Sequence, residues 1–191
     1  MGKFERLTTD LEGVSLIRPA VFKDDRGFFL ETYNRNEFAE VGIKEEFVQD
    51  NISHSAKGVI RGLHYQSKNA QGKLVRVLQG KIFDVVVDIR KGSPTYGHYL
   101  CVELNAQDPA MLFVPIGFAH GFMALEEGTD VMYKVTDFYS PHYDAGLRWN
   151  DPDLAIPWPL AAYGIVNPIV SLKDALLPFL KDTVSPFEYS R

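Results

Sequence analysis

The 191 residues are 46% hydrophobic and 13% aromatic, enough for one substantial core and so for a single domain over 1–191. Twenty Lys and Arg against 25 Asp and Glu leave a formal charge of −5, which argues against a broad electrostatic grip on nucleic acid or an anionic membrane. One cysteine, Cys101, excludes an intrachain disulfide, and with no signal-like start and no apolar run of about 18 residues the cytoplasm is expected.

Taken in order, the chain is a succession of short strand-like runs broken by Gly, Pro and Asn, without an internal repeat, which predicts an all-β domain. Arg26 and Glu31 enclose Phe28 and Phe29, and Gln49 and Asn51 follow a weak helical signal over 36–41. These residues supply a guanidinium, aromatic faces and amides suited to a nucleotide diphosphate, although Arg26 and Glu31 fit a solvated edge-strand pair equally well. At 61–66, Arg61 places a fixed cation near the imidazole of His64, a pairing suited to proton abstraction beside an anionic substrate. Gly62 would allow substrate to come close, and a hydrogen-bonded structural role is the plainer alternative for His64.

Runs at 73–78 and 81–90 flank Gln79 and Gly80, where a positive φ would serve a tight hairpin. Strands over 96–104, 111–114, 120–125 and 130–138 follow at the spacing of a sandwich or barrel, with Cys101 packing in one of them. Pro115 and Gly117 deliver His120 at the start of an apolar strand, so two turn-anchored histidines point to one pocket. A metal site would want a second imidazole where Gln66 stands and a carboxylate near Lys73, so a metal-free pocket is expected. Within 130–138, two-residue periodicity puts Tyr133 on the inward face with Val131 and Val135. A phenol there stays protonated and can donate a proton, or simply packs in the core. The proline-rich stretch 149–159 should wrap the domain as a loop with its tryptophans packed down, and a short helix over 174–181 is signalled by Ser171.

These motifs, in this order and over most of the chain, closely resemble the dTDP-4-dehydrorhamnose 3,5-epimerases. The resemblance rests on residues 26–31, 47–51, 58–66, 71–76, 115–122, 133–139, 149–152 and 171–174. It implies a double-stranded β-helix (cupin jelly roll) with short peripheral helices, no cofactor and no metal. It also implies His64 as proton acceptor, Asp174 as the carboxylate paired with it and Tyr133 as proton donor. Arg26, Glu31, Gln49, Asn51, Arg61, Lys73, His120 and Lys173 match positions that bind the dTDP-sugar, and Tyr139 matches a second pocket tyrosine. Asp144 stands where some members carry a binding glutamate, so that contact is expected to be lost or water-bridged. Members are usually homodimers whose N-terminal strands complete the neighbour's site, so Arg26 and Glu31 are expected to act in cis or across the interface.

The implied reaction removes protons from carbons flanking a C4 ketone and returns them on the opposite face, with Lys73 and His120 donating to the enolate oxygen. Three alternatives accompany it: an epimerase inverting only C3 or only C5, a non-catalytic nucleotide-sugar-binding module, and a metal-dependent cupin enzyme.

Overall fold

The computed structural model describes residues 2–190; Met1 and Arg191 of the expected 1–191 domain lie outside the described residues. Fourteen strands are present among them: β1 Phe4–Thr8, β2 Ser15–Pro19, β3 Phe22–Asp24, β4 Gly27–Phe29, β5 Gln49–Ser55, β6 Val59–Gln66 and β7 Lys73–Gln79, then β8 Lys81–Asp88, β9 Tyr99–Asn105, β10 Met111–Val114, β11 Phe118–Ala124, β12 Thr129–Val135, β13 Asp144–Gly146 and β14 Ile169–Val170. Two short α-helices join them, α1 Arg35–Glu40 and α2 Leu172–Ala175.

One six-stranded sheet has the order β1-β2-β10-β7-β12-β5 and the other β13-β6-β11-β8-β9, with β14 running parallel to β6; β3 and β4 form a separate hairpin. The main core contains Val75, Val77, Leu112 and Val131 of the first sheet together with Ile82, Val86, Leu104 and Phe122 of the second, so the sheets pack face to face as the expected jelly roll. Each such buried side chain contributes about 1.5–3 kcal/mol of transfer free energy.

Val85 and Val87 point away from that core into a second cluster, covered by Leu147, Leu154 and Ile156. Burial on both faces explains why β8 and β11 are apolar almost throughout instead of alternating. The loop that covers this face packs its tryptophans as expected, with Trp158 Nε1 donating to the Trp149 carbonyl at 2.8 Å. On the outer face of the first sheet, Phe38 of α1 seals a third cluster with Phe4, Ile17 and Leu74. Asn34 caps α1 by accepting from the backbone of Asn36 and Glu37.

Two local expectations fail. Gly80 has the predicted positive φ of 76°, yet β7 and β8 form no hairpin: β7 pairs with β10 and β12, and β8 with β9 and β11. The residue is a corner between sheets, where a Cβ would lie 2.4 Å from Thr129 Oγ1. A turn signal specifies backbone conformation, not the strand on either side of it.

The helix expected over 174–181 is instead the single turn α2, capped by Ser171 and ended before Pro178, which lacks an N–H and disfavours helix in the residue before it. A 3₁₀ turn at Leu180–Asp182 follows. Among the described residues no helix is long and apolar enough to cross a membrane.

Candidate active site

A cavity of about 610 Å³ is lined by residues of both sheets. The first sheet contributes Ser53, Lys73 and Tyr133; the second contributes Arg61, His64, Gln66, His120 and Asp144; the segment after β14 adds Lys173 and Asp174. His64 and His120 are direct cross-strand partners on β6 and β11, so the pleat turns both imidazoles to the same face.

At Gly62 the two strands come closest. Its φ is 117°, and a Cβ would meet Gly121 Cα at 2.6 Å and the His120 carbonyl at 2.8 Å. The close approach is therefore of backbone to backbone, and the expectation that Gly62 makes room for substrate is corrected.

Ser171 accepts a hydrogen bond from the Asp174 N–H and so sets the turn that buries Asp174, whose side chain is 6% exposed. One carboxylate oxygen lies 2.8 Å from His64 Nε2 and the other accepts from the Gly62 N–H at 3.2 Å. Burial acts to raise the pKa of Asp174, but the hydrogen bond and charge of His64, the Gly62 amide and Lys173 together hold it below the usual carboxylate value. An anionic Asp174 accepts, so His64 carries its proton on Nε2 and keeps the Nδ1 lone pair free to take another.

His120 Nε2 lies 2.8 Å from Asp84, whose other oxygen is buried with no hydrogen-bond partner among the described residues. Asp84 was absent from the sequence expectations. Its signal was an acid set between Ile82 and Val86 on the core-facing side of a largely apolar strand. Lys73 is buried, and its ammonium donates to the His64 carbonyl at 3.0 Å. Burial lowers its pKa to about 8, against the upward pull of Asp84 and Asp144.

Tyr133 lies between the fully buried Val131 and Val135, facing the cavity as periodicity predicted. Burial raises its pKa, opposed by Arg61 and reinforced by Asp144, so the phenol is a protonated acid at neutral pH. Asn51 and Gln49 on edge strand β5 stand opposite Tyr133 and Val135, on the same face though outside the cavity lining, and Gln49 Nε2 donates to Asn51 Oδ1 at 2.8 Å. Asp144 accepts from the Tyr139 hydroxyl at 3.1 Å and pairs with Lys173, which ties these three candidates together.

Arg26 and Glu31 are not brought to the cavity within one chain. Arg26 sits at the tip of the β3–β4 hairpin with its side chain 90% exposed and paired with Asp24; Glu31 pairs with Lys3 at 2.8 Å. Among the described residues no three His, Cys, Asp or Glu side chains cluster as metal ligands, and the Gln66 amide is bonded to backbone. The Cys101 thiol, pushed up to about 11 by burial, is no nucleophile at neutral pH.

The family model for dTDP-4-dehydrorhamnose 3,5-epimerase matches residues 8–182. The epimerase of that name from Methanothermobacter thermautotrophicus is 49% identical over 174 residues, covering 91% of this chain and 93% of its own. A crystal structure of the Legionella pneumophila 3,5-epimerase in complex with dTDP-4-keto-L-rhamnose superposes with a TM-score of 0.93 at 42% identity, over 98% of this chain and 100% of the other. A 3′-monoepimerase from Streptomyces bikiniensis in complex with dTDP-quinovose superposes at 0.83 with 28% identity, over 91% and 86%. Sequence and fold thus agree, and the chain belongs to the dTDP-4-dehydrorhamnose 3,5-epimerase family of isomerases.

Proposed function

We propose that this chain converts dTDP-4-dehydro-6-deoxy-D-glucose to dTDP-4-dehydro-L-rhamnose by inverting C3 and C5. The observation that carries the reading is that His64, backed by Asp174, and Tyr133 enter one cavity from opposed sheets. The C4 carbonyl acidifies the hydrogens on both neighbouring carbons. His64 takes a proton from one of them, the C–H electron pair becomes the enolate double bond, and negative charge moves to the C4 oxygen. Tyr133 then delivers its hydroxyl proton to that carbon from the other face, and exchange with solvent resets both groups.

Asp174 holds the imidazole tautomer and stabilises its cation, while Lys73 and His120 donate to the enolate oxygen. Acid–base placement contributes about 10²–10⁴ in rate and one oxyanion donor about 10²–10³, so both are required. Arg61, Lys173, Tyr139 and Asp144 bind the nucleotide sugar, with Gln49 and Asn51 extending the same face. The NMR spectrum of the product formed in D₂O tests this reading: deuterium is expected at both C3 and C5. Deuterium at a single carbon with one inverted centre would assign the chain instead to single-centre chemistry, as named for the Streptomyces relative.

Lys73 gives the reaction a pH signature. The ammonium is the form that stabilises an oxyanion, and it is lost as pH rises through about 8. kcat/KM should fall across that range, and Lys73→Met should lower the rate by about 10²-fold or more and remove the inflection. A pH–rate profile checks both.

The chain is further proposed to act in the cytoplasm as a homodimer in which the β3–β4 hairpin reaches the neighbour's cavity. Supporting this, Arg26 lies outside its own cavity on a two-stranded hairpin that exposes Phe22, Phe28 and Phe29. Mixing and refolding inactive Arg26→Ala and His64→Ala chains should restore about a quarter of wild-type activity, since half the dimers are mixed and each has one intact site. No restoration would place Arg26 in its own chain's site.

A further inference from the structure

Gln66 is two residues beyond His64 on β6 and takes no part in the proton transfers, yet the residue is only 3% exposed and its side chain bonds to backbone groups. The amide nitrogen donates to the Asn69 carbonyl at 2.6 Å and to the Phe138 carbonyl at 3.2 Å, and the amide oxygen accepts from the Ser140 N–H at 2.6 Å. Phe138 and Ser140 are the neighbours of Tyr139 in the chain. Gln66 therefore grips both peptide groups that bracket Tyr139.

Other contacts converge on the same strap. The Tyr139 N–H donates to Gln49 Oε1 at 3.0 Å, and Gln71 Nε2 donates to the Asp137 carbonyl at 2.8 Å. Asp144, which accepts the Tyr139 hydroxyl, is the cross-strand partner of Gln66 on β13. Apolar packing offers little alternative anchorage, because Phe138 is 63% exposed and Tyr139 51%. A strap held by polar bonds instead of burial has its position set by the groups that make those bonds, and the most buried of these is Gln66.

Building on the nucleotide-sugar reading, we infer that Gln66 is a positioning residue that fixes Tyr139 at the cavity relative to His64 and thereby sets affinity for the dTDP portion of the ligand. It acts through Tyr139 and does not touch the reacting carbons. Gln66→Met keeps the length of the side chain and removes its donors and acceptor. Gln66→Glu retains an acceptor for Ser140 and loses both donors.

The test is a double-mutant cycle on the full-length protein, read by calorimetric titration with dTDP. Gln66→Met should weaken dTDP binding by about tenfold, Gln66→Glu by at least as much because its carboxylate oxygen would face the Asn69 and Phe138 carbonyls, and Tyr139→Ala by at least as much as Gln66→Met. Adding Gln66→Met to Tyr139→Ala should cost less than about twofold more, since the residue to be positioned is gone. In turnover, KM should rise more than kcat falls. Equal loss of dTDP affinity with and without Tyr139, or a fall in kcat at unchanged affinity, would overturn the inference, as would wild-type protein that does not bind dTDP. Should Gln66→Met not fold, the same cycle with Gln66→Glu decides between these outcomes. Wild-type turnover is measured separately, so loss of the epimerase reading and loss of the Gln66 inference remain distinguishable.

Discussion

His64→Ala should lose both wash-in of solvent deuterium at C3 and C5 and formation of the inverted sugar, with a fall of about 10²–10⁴ in each. The expectation follows from geometry. His64 Nε2 is committed to Asp174, and both Asp174 oxygens are engaged, so Nδ1 is the available base and the carboxylate is held in place as its partner. Deuterium exchange observed by NMR at the wild-type rate in this variant would remove His64 from the role of base.

The same variant has a stability signature that separates loss of chemistry from loss of fold. The folded pKa of Asp174 is depressed, so its interactions contribute stability above the ordinary carboxylate value, and this is lost as pH falls through the folded pKa. Removing His64 takes away the largest of the lowering influences. The stabilisation of the native state near neutral pH should shrink by about 1–3 kcal/mol, the cost of a buried polar group left short of its partner, and the variant should show less of the acid-dependent loss. Urea unfolding at neutral and acidic pH measures this; a folded but inactive variant keeps the catalytic conclusion intact.

The parts of the site readable from sequence were those governed by local rules. Period-two patterning placed Tyr133 inward between two valines, and the turn at Pro115 and Gly117 announced the strand that carries His120, although β11 begins at Phe118 and His120 is its third residue. What could not be read were relations between distant segments. Gly80 announced a positive φ but not that β7 and β8 join different sheets, because pairing is settled by which faces bury together. The register that sets His64 opposite His120 depends on two glycines, Gly62 and Gly121, whose backbones nearly touch across strands.

Asp84 was missed, and Gln66 was noted without its role, for a related reason. A buried carboxylate within an apolar run and an amide beside a histidine acquire meaning only from partners far along the chain, at His120 and at 138–140. Arg26 and Glu31 matched binding positions by motif, yet their own chain directs them to Asp24 and Lys3.

Tyr133→Phe should divide the reaction into its halves. The variant keeps the ring that packs against the main core and deletes only the hydroxyl, so folding is little affected. Proton removal by His64 from the opposed sheet needs no phenol, so exchange of the hydrogens flanking the ketone should persist within about tenfold of wild type. Inversion needs a proton delivered from the other face and should fall by about 10²–10⁴. Once the His64 imidazolium has exchanged its proton with D₂O it returns a deuteron to the face it deprotonated, giving deuterated substrate of unchanged configuration. Proton NMR in D₂O distinguishes the two products, since the retained and inverted sugars differ in ring coupling. Burial holds the Tyr133 phenol protonated across neutral pH, which predicts that inversion by the wild type shows no loss of the acid in that range, and that any alkaline limb near pH 8 belongs to Lys73. If exchange and inversion decline together in Tyr133→Phe, the hydroxyl serves binding or packing, and the acid must be sought among the other groups lining the cavity.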